Sequence, residues 1–113
     1  MLPATQRLLA ARDFTDVMRR GRRSGASTLT VHLLPSDAPV DGPARAGLIV
    51  SKAVGNSVVR HRVSRRLRHL LAPRLPLVGG GTRLVVRAAP AAATATSELL
   101  GRDLDAALSR LAR

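Results

Sequence analysis

The chain is 113 residues long, carries a formal net charge of +12 and contains no cysteine. That length suits a single domain over 1–113, the 45% apolar fraction supplies a modest core, and the missing thiols exclude disulfides and cysteine-ligated metals. No apolar run approaches the ~20 residues that cross a bilayer, and one Phe without Tyr or Trp means an aliphatic core.

Residues 1–11 read as an irregular lead-in. Arg7 and Arg12 interrupt its apolar stretch, which is not the layout of a secretory signal, so the cytoplasm is the expected compartment. Asp13 can cap a helix to about Arg20, with Phe14, Val17 and Met18 at i, i+3, i+4 and Gly21 as its stop. The basic connection 21–27 has room for a short strand. Thr28 to Leu34 alternates as a strand, with Leu29, Val31 and Leu33 on one face and Thr30 and His32 on the other. Pro35 to Pro43 is a loop, and Ala46 to Ser51 a second strand.

Gly55 breaks the chain and Asn56 is a good N-cap for a helix to about Ala72, closed by Pro73. After the Gly79–Gly81 turn, Leu84 to Ala88 is a short strand and Pro90 to Thr96 a small-residue linker. Ser97 opens a last helix with Leu100, Leu104, Leu108 and Leu111 as its core stripe. The order is α-β-β-α-β-α, with the optional strand near 22–27. It argues for an α+β fold of helices on one small sheet.

The charge is not spread evenly. Residues 52–74 hold Lys52, Arg60, Arg62, Arg65, Arg66, Arg68 and Arg74 and no acid. At about 100° per residue, Val59, Val63, Leu67, Leu70 and Leu71 fall in an arc of roughly 120°. His61, Arg62, Arg65, Arg66, Arg68 and His69 occupy the opposite side, while Arg60 projects toward the apolar stripe. Like charges this close repel along a helix, which a polyanionic partner relieves. The apolar stripe has no Trp or Phe anchor for a membrane surface, and no helix-turn-helix or zinc-finger pattern suggests duplex DNA. Folded RNA, bound through shape and phosphate, fits best. The alternatives are a ribosomal or other structural RNA-binding protein, a nucleoid-type DNA-binding protein and an autonomous nuclease. His32, His61 and His69 are scattered without metal-ligand spacing, the carboxylates do not cluster, and Asp103 and Asp105 read as a solvated helix face. We therefore assign no catalytic and no metal-binding residue.

The stretch Ser51-Lys52-Ala53-Val54-Gly55-Asn56-Ser57-Val58-Val59-Arg60-His61-Arg62-Val63-Ser64-Arg65-Arg66-Leu67-Arg68 resembles the signature of bacterial ribonuclease P proteins, approximately S-K-x-x-G-x-A-V-x-R-N-R-x-K-R-x-x-R. It matches at Ser51, Lys52, Gly55, Val58, Arg60, Arg62, Arg65 and Arg68, and departs at Ser57, His61 and Ser64. Arg7-Leu8 followed by Asp13-Phe14, Val17-Met18 and Gly21 is similar to the family's R-L-x(4)-D-F-x-x-V-F-x-x-G, with Met18 in place of the second aromatic. Val85-Val86-Arg87-Ala88, the Pro90 region and the Leu-rich closing helix follow the family too.

The resemblance implies a ribosomal protein S5 domain 2-like sheet in which the helix 56–72 joins its flanking strands by a left-handed crossover, against the usual hand. It implies a protein that assists an RNA enzyme removing the 5′ leader of precursor tRNA. Catalysis would lie with the RNA and its Mg²⁺. The partners would be that RNA and precursor tRNA, with no membrane and no required protein partner. Lys52, Asn56, Arg60, His61, Arg62, Arg65, Arg66 and Arg68 are the expected contacts to the catalytic RNA. Phe14, Met18, Thr30 and His32 are the expected lining of a cleft for the single-stranded leader.

Overall fold

The computed structural model describes residues 7, 10–36 and 42–112. Three helices, α1 (Ala11–Arg20), α2 (Ser57–Leu71) and α3 (Ser97–Leu111), surround a sheet of β1 (Arg22–Gly25), β2 (Leu29–Leu34), β3 (Arg45–Ile49) and β4 (Arg83–Ala88). The sheet order is β1-β2-β4-β3. β1, β2 and β4 run antiparallel to their neighbours, whereas β3 and β4 pair in parallel, with α2 as the crossover between them. The optional strand is real. The loop expected over 35–43 falls partly outside the described residues, as does most of the lead-in, of which Arg7 makes an isolated parallel bridge with Ala46.

Strand alternation sorts the side chains onto two faces. Leu29, Val31 and Leu33 of β2, Leu84 and Val86 of β4 and Ala46 of β3 meet Val63, Leu67 and Leu71 of α2 and Leu100, Leu104, Ala107 and Leu111 of α3. This aliphatic layer is the main core. On the other face Leu34 and Val85 are covered by Val17 of α1, with Phe14, Met18 and Ile49 packed around them. Because α1 is only ten residues long, it covers only part of that face.

Two glycines are needed for close approach. A Cβ on Gly21 would lie 2.5 Å from the Val17 carbonyl oxygen and 2.8 Å from that of Leu33, both backbone atoms. Gly21 ends α1 in an extended rather than a left-handed conformation, so its role is space. A Cβ on Gly47 would lie 2.3 Å from Cζ of Phe14, so the bare backbone of β3 is the seat of that ring.

Several polar residues differ from expectation. Asp13 does not cap α1: the N-cap is Ala10, without a side-chain hydrogen bond, and the Asp13 carboxylate accepts from Arg83 of β4 at 2.9 Å. Asp16 meets the same guanidinium at 3.4 Å, so one arginine ties α1 to the sheet. Asp103 and Asp105 do lie toward solvent, Asp105 with 60% of its side chain exposed, but both are held by specific partners. Asp103 accepts from the Thr28 backbone N–H at 3.0 Å, the Thr28 hydroxyl at 2.6 Å and the Ser27 hydroxyl at 3.1 Å. Asp105 holds a two-pronged pair with Arg74, at 2.6 and 3.1 Å.

Hydrogen bonds from Thr28 above all hold the Asp103 carboxyl below its ordinary range, and the Arg74 bond does the same for Asp105. A carboxylate depressed by folding adds stability above its unfolded value near ~3.9, and loses that share as pH falls through the lower folded value. Asp103→Asn should therefore lower the melting temperature at pH 7 and flatten its fall between about pH 5 and pH 2. An unaltered pH profile in calorimetry would show that Asp103 does not anchor Thr28.

Candidate nucleic-acid interface

The first basic surface is α2. Asn56 caps it by accepting from the Val59 backbone N–H at 3.0 Å, and the preceding Gly55 is necessary because a Cβ there would come within 2.9 Å of Val59. Val63, Leu67 and Leu71 are fully buried, which fixes the rotation of the helix about its axis. The opposite side is then obliged to face outward. His61, Arg65 and His69 are exposed, while Arg60, Arg62, Arg66 and Arg68 are half-buried.

The cations of α2 are not equivalent. Arg62 donates to the Ala93 carbonyl at 2.9 Å and Arg66 to the Ala95 carbonyl at 3.2 Å. These bonds clamp α2 to the segment after β4, where a short 3-10 turn, Pro90–Ala93, runs into the Thr96 cap of α3. Each guanidinium has five N–H donors, so both keep donors for a second acceptor while being held in place. The Nε–H groups of Arg60 and Arg62 are buried and find no acceptor among the described residues. Arg65 and His61 make no hydrogen bond or ion pair through their side chains among the described residues.

The second surface is a groove on the face that α1 leaves uncovered. It is lined by Met18, Arg23, Thr30, His32, Ser51 and Arg87, together with Ala53 and Pro90. The strand register explains the grouping: Arg23 of β1 lies opposite His32 of β2, and Thr30 of β2 opposite Arg87 of β4. His32 is 6% exposed. Burial first, and then the Arg23 and Arg87 guanidiniums, push its pKa below the ordinary value of 6.5. It is neutral at pH 7 and presents one donor and one acceptor between two fixed positive charges.

Of the four residues expected in a leader cleft, Met18, Thr30 and His32 come together here. Phe14 lies beside the groove rather than in its lining, half-buried on Gly47 with Val17, Leu34, Val85 and Ile49. Sequence reasoning missed Arg23 and Arg87. Arg87 was available from alternation, since it follows Leu84-Val85-Val86 on the face opposite Leu84 and Val86, whereas Arg23 needed the β1–β2 register. The turn Ser51–Asn56 joins the two surfaces, with hydrogen bonds from Val54 N–H to Ser51 and from Gly55 N–H to Lys52. Ser51 and Ala53 line the groove, Lys52 is exposed between them, and Asn56 opens α2.

The family model for ribonuclease P matches residues 2–112. A ribonuclease P protein component from Nocardioides sp. is 48% identical over 111 residues, covering 98% of this chain and 95% of its own. One from Streptomyces bikiniensis is 50% identical over 117 residues with the same coverage. Among solved structures, the Staphylococcus aureus RNase P protein superposes with a TM-score of 0.80 at 22% identity, over 92% of this chain and 93% of that one. The Thermotoga maritima RNase P protein, solved in complex with 1-(4-fluorophenyl)-2-thiourea, gives 0.76 at 19% identity, over 95% and 98%.

Proposed function

The chain belongs to the ribonuclease P protein family and is a protein subunit of that tRNA-processing endonuclease; from that premise we propose that its two basic surfaces divide the work, α2 holding the catalytic RNA and the sheet groove holding the 5′ leader of precursor tRNA. The observation that carries this reading is the position of the groove. It is a strip of sheet bordered by Arg23 and Arg87, with a neutral imidazole between them and the Met18 thioether on the α1 side. Such a strip suits a single strand: the guanidiniums take backbone phosphates and can stack on bases, while Met18 and His32 give bases an apolar or planar surface. On α2, cations fixed by carbonyl clamps and by buried aliphatic side chains suit the rigid phosphate array of a folded RNA.

Mg²⁺ would come with the RNA. Among the described residues the donor set does not fit such an ion: Asp13 and Asp16 are taken by Arg83, Asp103 by Thr28 and Ser27, and Asp105 by Arg74, and no three acidic or histidine side chains gather in one place. No chemical step is therefore assigned to a side chain. What the protein does is bind, orient and neutralise, which lowers the concentration of Mg²⁺ the RNA needs to fold and to hold its substrate.

Reconstitution tests the reading. Added to a bacterial catalytic RNA at low Mg²⁺, the protein should restore 5′ maturation of precursor tRNA. Arg23→Ala combined with Arg87→Ala should weaken the holoenzyme's binding of leader-bearing precursor about ten-fold and leave mature tRNA unchanged. Equal losses for both RNAs would refute the groove as the leader site, and no restoration by the wild-type protein would refute the whole reading.

A further inference from the structure

An apolar residue interrupts the cationic face of α2. Val58 is 73% exposed, whereas the other apolar residues of the helix lie on its core side. At about 100° per residue Val58 falls in line with Arg65, on the crest of the outward face, with His61 and Arg62 to either side at i+3 and i+4. Together with Ser57 these side chains line a shallow hollow on the first two turns. Its apolar part is the exposed Val58 isopropyl group. Around it stand Arg62, whose guanidinium is fixed by the Ala93 carbonyl, and His61 and Arg65, whose side chains have no partner among the described residues.

The fold does not ask for this residue. A β-branched side chain on an exposed helix position is a poorer helix former than Ala, Arg or Lys by several tenths of a kcal/mol, and Val58 is not a member of either core cluster. What the hollow matches is a flat ring with an anionic tether. The isopropyl group takes the ring's face, while the surrounding guanidiniums and imidazole take the adjoining phosphate and the ring's acceptor edge. A duplex cannot supply such a ring, because its bases are stacked inside. From the hollow we infer that Val58 is a seat for one unpaired nucleobase of the catalytic RNA, framed by His61, Arg62 and Arg65. The ridge thus reads one bulged or looped nucleotide in addition to backbone charge. This rests on the assignment of α2 to the catalytic RNA, and the groove is a separate place, since α2 packs on the opposite face of the sheet.

Val58→Thr is the informative variant, because it keeps the branched shape and nearly the same helix propensity while exchanging one methyl for a hydroxyl. Holoenzyme assembly should weaken about five-fold at every salt concentration, with the slope of log affinity against log salt unchanged. Val58→Ile should bind at least as tightly as the wild type. Arg65→Ala is the control for the underlying reading, expected to weaken binding and to reduce the slope by about one. Chemical probing of the RNA should show a single nucleotide whose protection by the wild-type protein is lost with Val58→Thr. Wild-type affinity for Val58→Thr with Arg65→Ala impaired would overturn the nucleobase seat and leave the phosphate ridge standing. Wild-type behaviour of both variants would overturn the ridge itself. A reduced salt slope for Val58→Thr would also overturn the seat, by showing that Val58 acts only through its charged neighbours.

Discussion

Reversing two charges on the outward side of α2, Arg65→Glu with Arg68→Glu, should weaken association with the catalytic RNA by about two orders of magnitude at physiological salt. On the proposed assignment each reversal would remove one phosphate contact and add a repulsion at the same place, so the loss should exceed that of two alanine substitutions. Neither residue belongs to the buried stripe, and among the described residues no carbonyl or carboxylate outside the helix holds either guanidinium, so the melting temperature should move by a degree or two at most. Arg62 and Arg66 are poorer probes. Removing them also frees the Ala93 and Ala95 carbonyls and loosens the clamp between α2 and the start of α3, which mixes packing with charge. Filter binding at several salt concentrations, with circular dichroism on the free protein, separates the two effects. Undiminished assembly of the double variant would remove α2 from the RNA interface.

That distinction among arginines marks where sequence reasoning reaches and where it stops. Short-range chemistry was legible. Asn56 caps α2 as its residue type and position suggest, Val63, Leu67 and Leu71 turn inward on helical period, and Leu29, Val31 and Leu33 turn inward on strand period. Long-range partners were not. Asp13 is a plausible cap by local rules, but Arg83, 70 positions later, out-competes that role because folding brings β4 beneath α1. Asp103 and Asp105 sit among arginines on a helix and read as solvated, yet Thr28 and Arg74 hold them from distant segments. Arg62 and Arg66 differ from Arg65 only in pointing toward a segment whose carbonyls are free to accept. The strand order β1-β2-β4-β3 likewise has no local signature, and with it goes the cross-strand pairing that assembles Arg23, His32, Thr30 and Arg87 into one groove.

Gly47→Val should unseat α1 and destabilise the protein by about 3 kcal/mol, the upper end of what overpacking a tight contact produces. Even the first carbon of the new side chain would lie 2.3 Å from the Phe14 ring, and the ring cannot simply retreat, since Val17, Leu34, Val85 and Ile49 enclose the space on its inner side. It must swing toward solvent, carrying that end of α1 away from the sheet and stretching the Asp13 and Asp16 pairs with Arg83. Met18, one helical turn on, borders the groove, so the same displacement should widen the groove and reduce the preference for leader-bearing precursor over mature tRNA. Phe14→Leu in the Gly47→Val background separates the two consequences. The smaller side chain should recover one to two of the lost ~3 kcal/mol in urea melts by relieving the clash. If Phe14 contributes to leader binding only by positioning α1, the preference for precursor should return along with stability. Recovery of stability without the preference would mean that the ring itself meets the leader from the edge of the groove.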